Sequence, residues 1–295
     1  MIVRGDAMHI PLADKSVHCC VTSPPYWGLR SYGFKADDPV RKKMIGLEPT
    51  FDRHLWNLVR VFREVRRVLR DDGTVWLNYG DSYDSGTRAL RRPSETAGSK
   101  HGYWTNPNIE NRNRTQLGAK NLIGMAWRVA FALQADGWYL RSDIIWHKRS
   151  PMPESVRDRP TKAHEYVFLL TKSPRYFYDQ EAGRENYAAG TAERYDFSFS
   201  TSDGKTGKYP VEVSASCKQT LQHDGQERFR LGNGRNMRDV WTLSTEPYRG
   251  AHFATFPTEL VARCLRPGTS DKGCCQDCGA PWRRIMERER RATRP

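Results

Sequence analysis

Two adjacent prolines, Pro24 and Pro25, stand behind an apolar run of Val17, Cys19, Cys20 and Val21, and they limit the fold more than any other stretch of the chain. The run reads as a short buried strand. Proline neither donates to a ladder nor continues a helix, so the strand stops at Ser23 and the backbone turns there stiffly. A hydroxyl, a backbone carbonyl and the flat faces of Tyr26 and Trp27 are thereby gathered at a strand's carboxyl end, where open α/β sheets hold their ligands. Downstream, Phe51, Leu55, Leu58, Phe62, Val65 and Leu69 recur at helical spacing, with Thr50 as the N-cap and Gly73 as the stop. Val75 to Asn78 is the next apolar run. Strand, helix, strand predicts an α/β domain with a parallel sheet.

Leu122, Met125, Val129 and Leu133 predict a second helix closed by Gly137, and Tyr139–Trp146 and Tyr166–Thr171 read as further strands. Between these elements lie two long polar stretches. Residues 82–120 carry Arg88, Arg91, Arg92, Lys100, Arg112 and Arg114 among Gly, Ser and Asn; residues 183–236 interleave Tyr195, Phe197 and Phe199 with Lys205, Lys208, Arg228, Arg230 and Arg235. An excursion of such length inside a compact domain is usually functional or disordered, and mixed basic and aromatic residues suit phosphate contact and base stacking. The formal net charge of +14 points the same way, toward a polyanion. No run of about 18 apolar residues is present, which argues against a membrane span, and no apolar leader follows Met1, so a cytoplasmic location is expected. Seven cysteines in such a chain argue against a disulfide framework.

The segment Thr22-Ser-Pro-Pro-Tyr-Trp-Gly-Leu-Arg30 closely resembles the catalytic motif of the DNA amino-methyltransferases, which methylate the exocyclic nitrogen of cytosine or adenine. Its serine form is more typical of the cytosine-N4 branch. Phe62 to Leu69 with Asp71 to Asp81 resembles the segment after that motif, Trp146 to Pro160 a segment beside the target base, and Phe256-Pro-Thr-Glu-Leu260 the start of a helix that helps cover the methyl donor. The resemblance implies an S-adenosylmethionine-dependent, Rossmann-like methyltransferase sheet with inserted DNA-binding loops, acting on double-stranded DNA. Catalysis then falls to Ser23, Pro24, Pro25 and Tyr26. Ser23 and the Pro24 carbonyl would hold the two amino hydrogens, favouring a pyramidal nitrogen with its lone pair aimed at the donor, while Tyr26 would stack on a flipped base. Asp6, Phe256 and Pro257 are the expected cofactor-side residues. Trp27, Arg30, Lys148, Ser150, Arg92 and Arg114 are the expected DNA-facing ones.

The implied organisation is a catalytic region over 1–182 with the basic loop 82–120, a target-recognition region over 183–236, a return to the catalytic domain over 237–272, and half a zinc knuckle with a basic tail over 273–295. The order of motifs, catalytic turn first, is the permuted one. In that order a glycine-rich cofactor loop should follow the Phe-Pro-x-Glu helix, and it is absent before Pro295; Gly232-Asn-Gly234 lacks a preceding buried strand and is no substitute. Cys275 and Cys278 have the spacing of half a zinc site, with no later Cys or His to complete it. Both departures suggest a chain that stops early. The alternatives to a cytosine-N4 enzyme are therefore an adenine-N6 enzyme and a DNA-binding protein that needs a partner for its cofactor site. Beyond DNA, the expected partner is a second copy of the chain or a restriction enzyme.

Overall fold

In a computed structural model, residues 2–29, 44–84, 115, 117–186, 234–248, 250 and 255–285 are described. The chain divides into two units, Met1–Asp179 with Arg238–Pro295, and Gln180–Met237. In the first, the elements run β1 (Val17–Thr22), α1 (Phe51–Val68), β2 (Leu69–Tyr79), α2 (Met125–Ala135), β3 (Tyr139–Lys148), β4 (His164–Thr171), β5 (Val240–Leu243) and α3 (Thr258–Gly268). In the second, Glu185 and Arg235 form an antiparallel bridge and Arg184 pairs with Glu181. Arg30, Arg92, Arg114 and most of both polar stretches, with Tyr195, Phe197 and Phe199, lie outside the described residues.

The five strands form one sheet in the order β1-β2-β4-β3-β5. β1 and β2 are parallel, as are β3 and β5, but β4 runs antiparallel to both of its neighbours. The sheet is therefore mixed, which corrects the parallel arrangement expected from the sequence. The cause is the link between β3 and β4, which contains no helix to carry the chain back across the sheet, so β4 returns beside β3 in the opposite sense. β1 is half-buried along its length, not fully buried as its composition suggested, because it has one strand neighbour.

The helices form because each has a face to bury. α1 turns His54, Leu58, Phe62, Val65 and Val68 inward, and Thr50 Oγ accepts from Arg53 N at 3.2 Å as its N-cap. With α2 it covers the sheet face made by Val75, Leu77, Tyr79, Phe168 and Leu170, each such large side chain contributing roughly 1.5–3 kcal/mol on full burial. α3 packs against β1 and β2 on the opposite face, where a Cβ on Gly268 would meet Thr74 Oγ1 at 2.9 Å and Cys19 Sγ at 3.0 Å. Gly73 does not end α1, as the sequence reading had it. It lies within β2, where a Cβ would meet His18 O at 2.8 Å, so its absence of side chain lets β1 approach. Among the described residues no helix is long and apolar enough to cross a membrane.

Candidate active site

The carboxyl end of β1 runs straight into the turn at Ser23, and the carboxyl end of β2 supplies Asn78, Tyr79 and Gly80 beside it. Because β4 is reversed, its first residues arrive at the same place: Val167 is opposite Asn78 and Tyr166 opposite Tyr79. Three strand ends thus converge. Ser23 Oγ donates to the Tyr26 hydroxyl at 3.2 Å, and that hydroxyl lies 2.8 Å from Glu165 Oε2 and 3.0 Å from Asn78 Oδ1. Asn78 Nδ2 donates to Glu165 Oε2 at 3.1 Å and to Tyr166 O at 3.0 Å. Lys148, at the end of β3, closes the cluster through an ion pair with Glu165 Oε1, its ammonium 4.9 Å from the centre of the Trp146 ring.

The direction of these bonds follows from the groups themselves. A phenol has one proton to give, and the ionised carboxylate of Glu165 is the stronger acceptor for it. Tyr26 keeps that proton: burial first, and then the charge of Glu165, pushes its pKa well above the ordinary tyrosine value. Ser23 therefore gives its own proton inward, to Tyr26, and leaves its oxygen lone pairs for a group in front of the turn. Two basic side chains stand near the start of β4. Burial lowers the pKa of both Lys162 and His164, which disfavours their charged forms, and in Lys162 the carboxylates of Asp81 and Glu165 oppose that effect.

The floor under Tyr26 is tight. Its ring centre is 4.5 Å from that of Tyr79, and a Cβ on Gly80 would meet Tyr26 Cε2 at 2.8 Å and Glu165 Cδ at 3.3 Å. Gly80→Ala is therefore expected to displace the Tyr26 ring and lower the activity of the site at least about ten-fold with little change in melting temperature. Steady-state rates beside a thermal melt check this.

Residues 17–278, most of the chain, match the family described as DNA methylase, of N6/N4 methyltransferase type. The chain belongs to that family. This methylase is 42% identical over 272 residues to the Type II methyltransferase M.XycI of Xanthomonas campestris pv. cyanopsidis, spanning 91% of this chain and 72% of that one. It is 40% identical over 274 residues to the Type II methyltransferase M.SmaI of Serratia marcescens, spanning 92% and 76%. Among solved structures, the PvuII cytosine-N4-specific DNA methyltransferase is similar with a TM-score of 0.48 at 14% identity, over 90% of this chain and 69% of that one. A putative DNA modification methylase of Thermus thermophilus gives 0.43 at 20%, over 89% and 71%.

Within the methylase, Ser23, Pro24, Pro25 and Tyr26 form one half-buried turn, and Lys148 stands in the same cluster. Trp27 does not face DNA. It is 2% exposed, and its indole donates to Glu48 O at 2.9 Å, so this expectation is corrected: a ring that large, next to Phe51, is worth more in the core. Ser150 is exposed in the link after β3. Asp6 is an exposed turn residue whose carboxylate accepts from Met8 N at 2.9 Å; Phe256 is half-buried and Pro257 is the N-cap of α3. Cys275 and Cys278 belong to no group of three or more ligating side chains among the described residues, so the zinc expectation finds no support. The sequence reading missed Asn78 and Glu165. Glu165 had a legible signal, a carboxylate at the entrance of an apolar strand, but only the reversal of β4 shows that this entrance adjoins Ser23.

Proposed function

We propose that this methylase transfers a methyl group from S-adenosylmethionine to the exocyclic N4 of a cytosine flipped out of duplex DNA. The observation that carries the reading is the line of contacts from Ser23 Oγ through the Tyr26 hydroxyl to Glu165: with the tyrosine proton committed to the carboxylate, the serine gives its own proton inward and its oxygen accepts from whatever lies in front, and hydrogen bonds in such a chain reinforce one another. An exocyclic amine offers two hydrogens. Ser23 Oγ and the Pro24 carbonyl accept them and draw the nitrogen lone pair out of conjugation with the ring. The nitrogen would take the methyl as its bond to the sulfonium breaks and give up one amino proton to solvent, so charge balances and no covalent intermediate with the protein is required. Pro25 stiffens the turn, and the Tyr26 ring takes the stacking role. Lys148 and Lys162 favour the phosphates flanking the flipped nucleotide.

S-adenosylmethionine supplies an electrophilic methyl on a sulfonium. The side chains proposed for it fit its chemistry: the exposed Asp6 carboxylate suits an ammonium or a ribose hydroxyl, and the Phe256 ring beside Pro257 suits an adenine. The sequence order, with Ser-Pro-Pro-Tyr ahead of Phe-Pro-x-Glu, supports the permuted arrangement of the family, and the names of the Type II relatives support a cognate restriction enzyme as partner.

The test is a transfer assay with labelled S-adenosylmethionine and duplex DNA of mixed sequence, followed by nucleoside analysis. N4-methylcytosine is the expected product. N6-methyladenine would replace the cytosine assignment with adenine, while binding of DNA without any uptake of S-adenosylmethionine would favour a DNA-binding protein dependent on a partner.

A further inference from the structure

Beneath the catalytic turn lies a set of polar groups that the chemistry of methyl transfer does not touch. Trp27 N–H donates to the Tyr79 hydroxyl at 3.1 Å, and that hydroxyl is 2.8 Å from His54 Nε2. His54 Nδ1 is 2.8 Å from Glu48 Oε2, which also accepts Gly46 N–H at 2.8 Å, while Asn57 Nδ2 donates to Glu48 Oε1 at 2.8 Å. His54 and Tyr79 are fully buried and Glu48 is 8% exposed. An ionised Glu48 only accepts, so Nδ1 carries a proton toward it, and with His54 as the neutral tautomer Nε2 is left to accept from the Tyr79 hydroxyl while that hydroxyl accepts from Trp27. Every donor then has one acceptor, in one direction, from the turn to Glu48.

We infer that Glu48, His54 and Tyr79 are positioning residues for methyl transfer, a directional chain that fixes the peptide between Tyr26 and Trp27 and through it the orientation of Ser23. The inference rests on the proposed function. Three observations carry it. The chain ends on the backbone of the residue next to Tyr26. Its members come from three separate elements, the segment before α1, α1 itself and the end of β2, so it ties the turn to both layers of the core. The same segment holds the turn twice more, by Trp27 Nε1 to Glu48 O and Gly28 N to Gly46 O at 2.8 Å. Gly46 can make that strap because it has φ +98° and no side chain, a Cβ there coming within 3.0 Å of Pro25. Filling a buried site with a polar network around one charge instead of apolar side chains seldom gains stability; direction is what such a network adds here. The Glu48 carboxyl keeps its charge, because the His54 bond and Asn57 outweigh the opposing effect of burial and hold its pKa below the ordinary value.

Tyr79→Phe keeps the ring under Tyr26 and deletes the hydroxyl. The expected result is a kcat lower by about ten- to a hundred-fold, with dissociation constants for DNA and S-adenosylmethionine unchanged and amide exchange at Trp27 accelerated while that of β4 is not. Combining it with Glu48→Gln should lower kcat no further than the worse single change, as members of one chain do not add. A kcat equal to wild type in the folded Tyr79→Phe protein, unaltered exchange at Trp27, or additive losses in the double variant would overturn the inference. Should Tyr79→Phe fail to fold, Glu48→Gln carries the same readouts. If the wild-type protein transfers no methyl, the proposed function fails by itself, and exchange at Trp27, which needs no turnover, still decides whether the chain holds the turn.

Discussion

Exchanging Ser23 for alanine is expected to lower turnover about a hundred-fold, the loss of one hydrogen bond of roughly 2–3 kcal/mol to a nitrogen that gains positive charge as it is methylated. Affinity for duplex DNA should hardly change, since in the proposed mechanism the hydroxyl meets only the flipped base. The Tyr26 hydroxyl loses the Ser23 bond but retains Glu165 and Asn78, so the turn itself should keep its shape. Single-turnover rates measured beside DNA binding check this separation. A variant as fast as wild type would remove the serine from the chemistry and leave the Pro24 carbonyl as the sole acceptor.

The second large effect concerns stability. Glu48→Ala removes the acceptor of Gly46 N–H, Asn57 Nδ2 and His54 Nδ1 at once, and leaving these donors unsatisfied in a nearly sealed site costs roughly 3–5 kcal/mol together. Thermal melts should show a fall of about ten degrees. The effect has a pH signature whose sign is fixed. The folded-state pKa of Glu48 is depressed by His54 and Asn57 against the opposing effect of burial, so its contribution is fully present above the unfolded value of about 4.3 and is lost as pH falls through the lower, folded value. The gap in stability between wild type and Glu48→Ala should therefore hold at neutral pH and narrow in acid below about pH 4.

Local signals in the sequence were sound where they rested on backbone chemistry or periodicity. The Pro24-Pro25 stop, the Thr50 cap and the apolar stripe of α1 all follow from rules that act within a few residues, and α2 begins at Met125 within the stretch that Leu122 to Leu133 delimited. The direction of β4 was not legible, because an apolar run such as Val167 to Leu170 has no polarity of its own and only the missing helix between β3 and β4 turns it round. That one ambiguity concealed Glu165. The burial of Trp27 was hidden for a different reason: an aromatic ring behind a proline turn looks alike from either side until Glu48 and Phe51 are seen to enclose it. His54 did leave a trace. It occupies the i, i−4 position of the buried stripe through Leu58 and Phe62, and a histidine on an apolar stripe implies a partner inside the core.

The inward-turned hydroxyl at the end of β1 has a consequence for which bases the site can mistake for its target. A pocket that presents only lone pairs welcomes an amino group and repels a carbonyl, and a site left with such an unmatched polar contact discriminates far more strongly than one that merely judges size. Uracil, the product of cytosine deamination, differs from cytosine by that single exchange of amino for keto. On the proposed cytosine reading, a chain of protons pointing from Ser23 toward Glu165 lets the site accept the amino group of cytosine and turn away the keto group that replaces it in uracil.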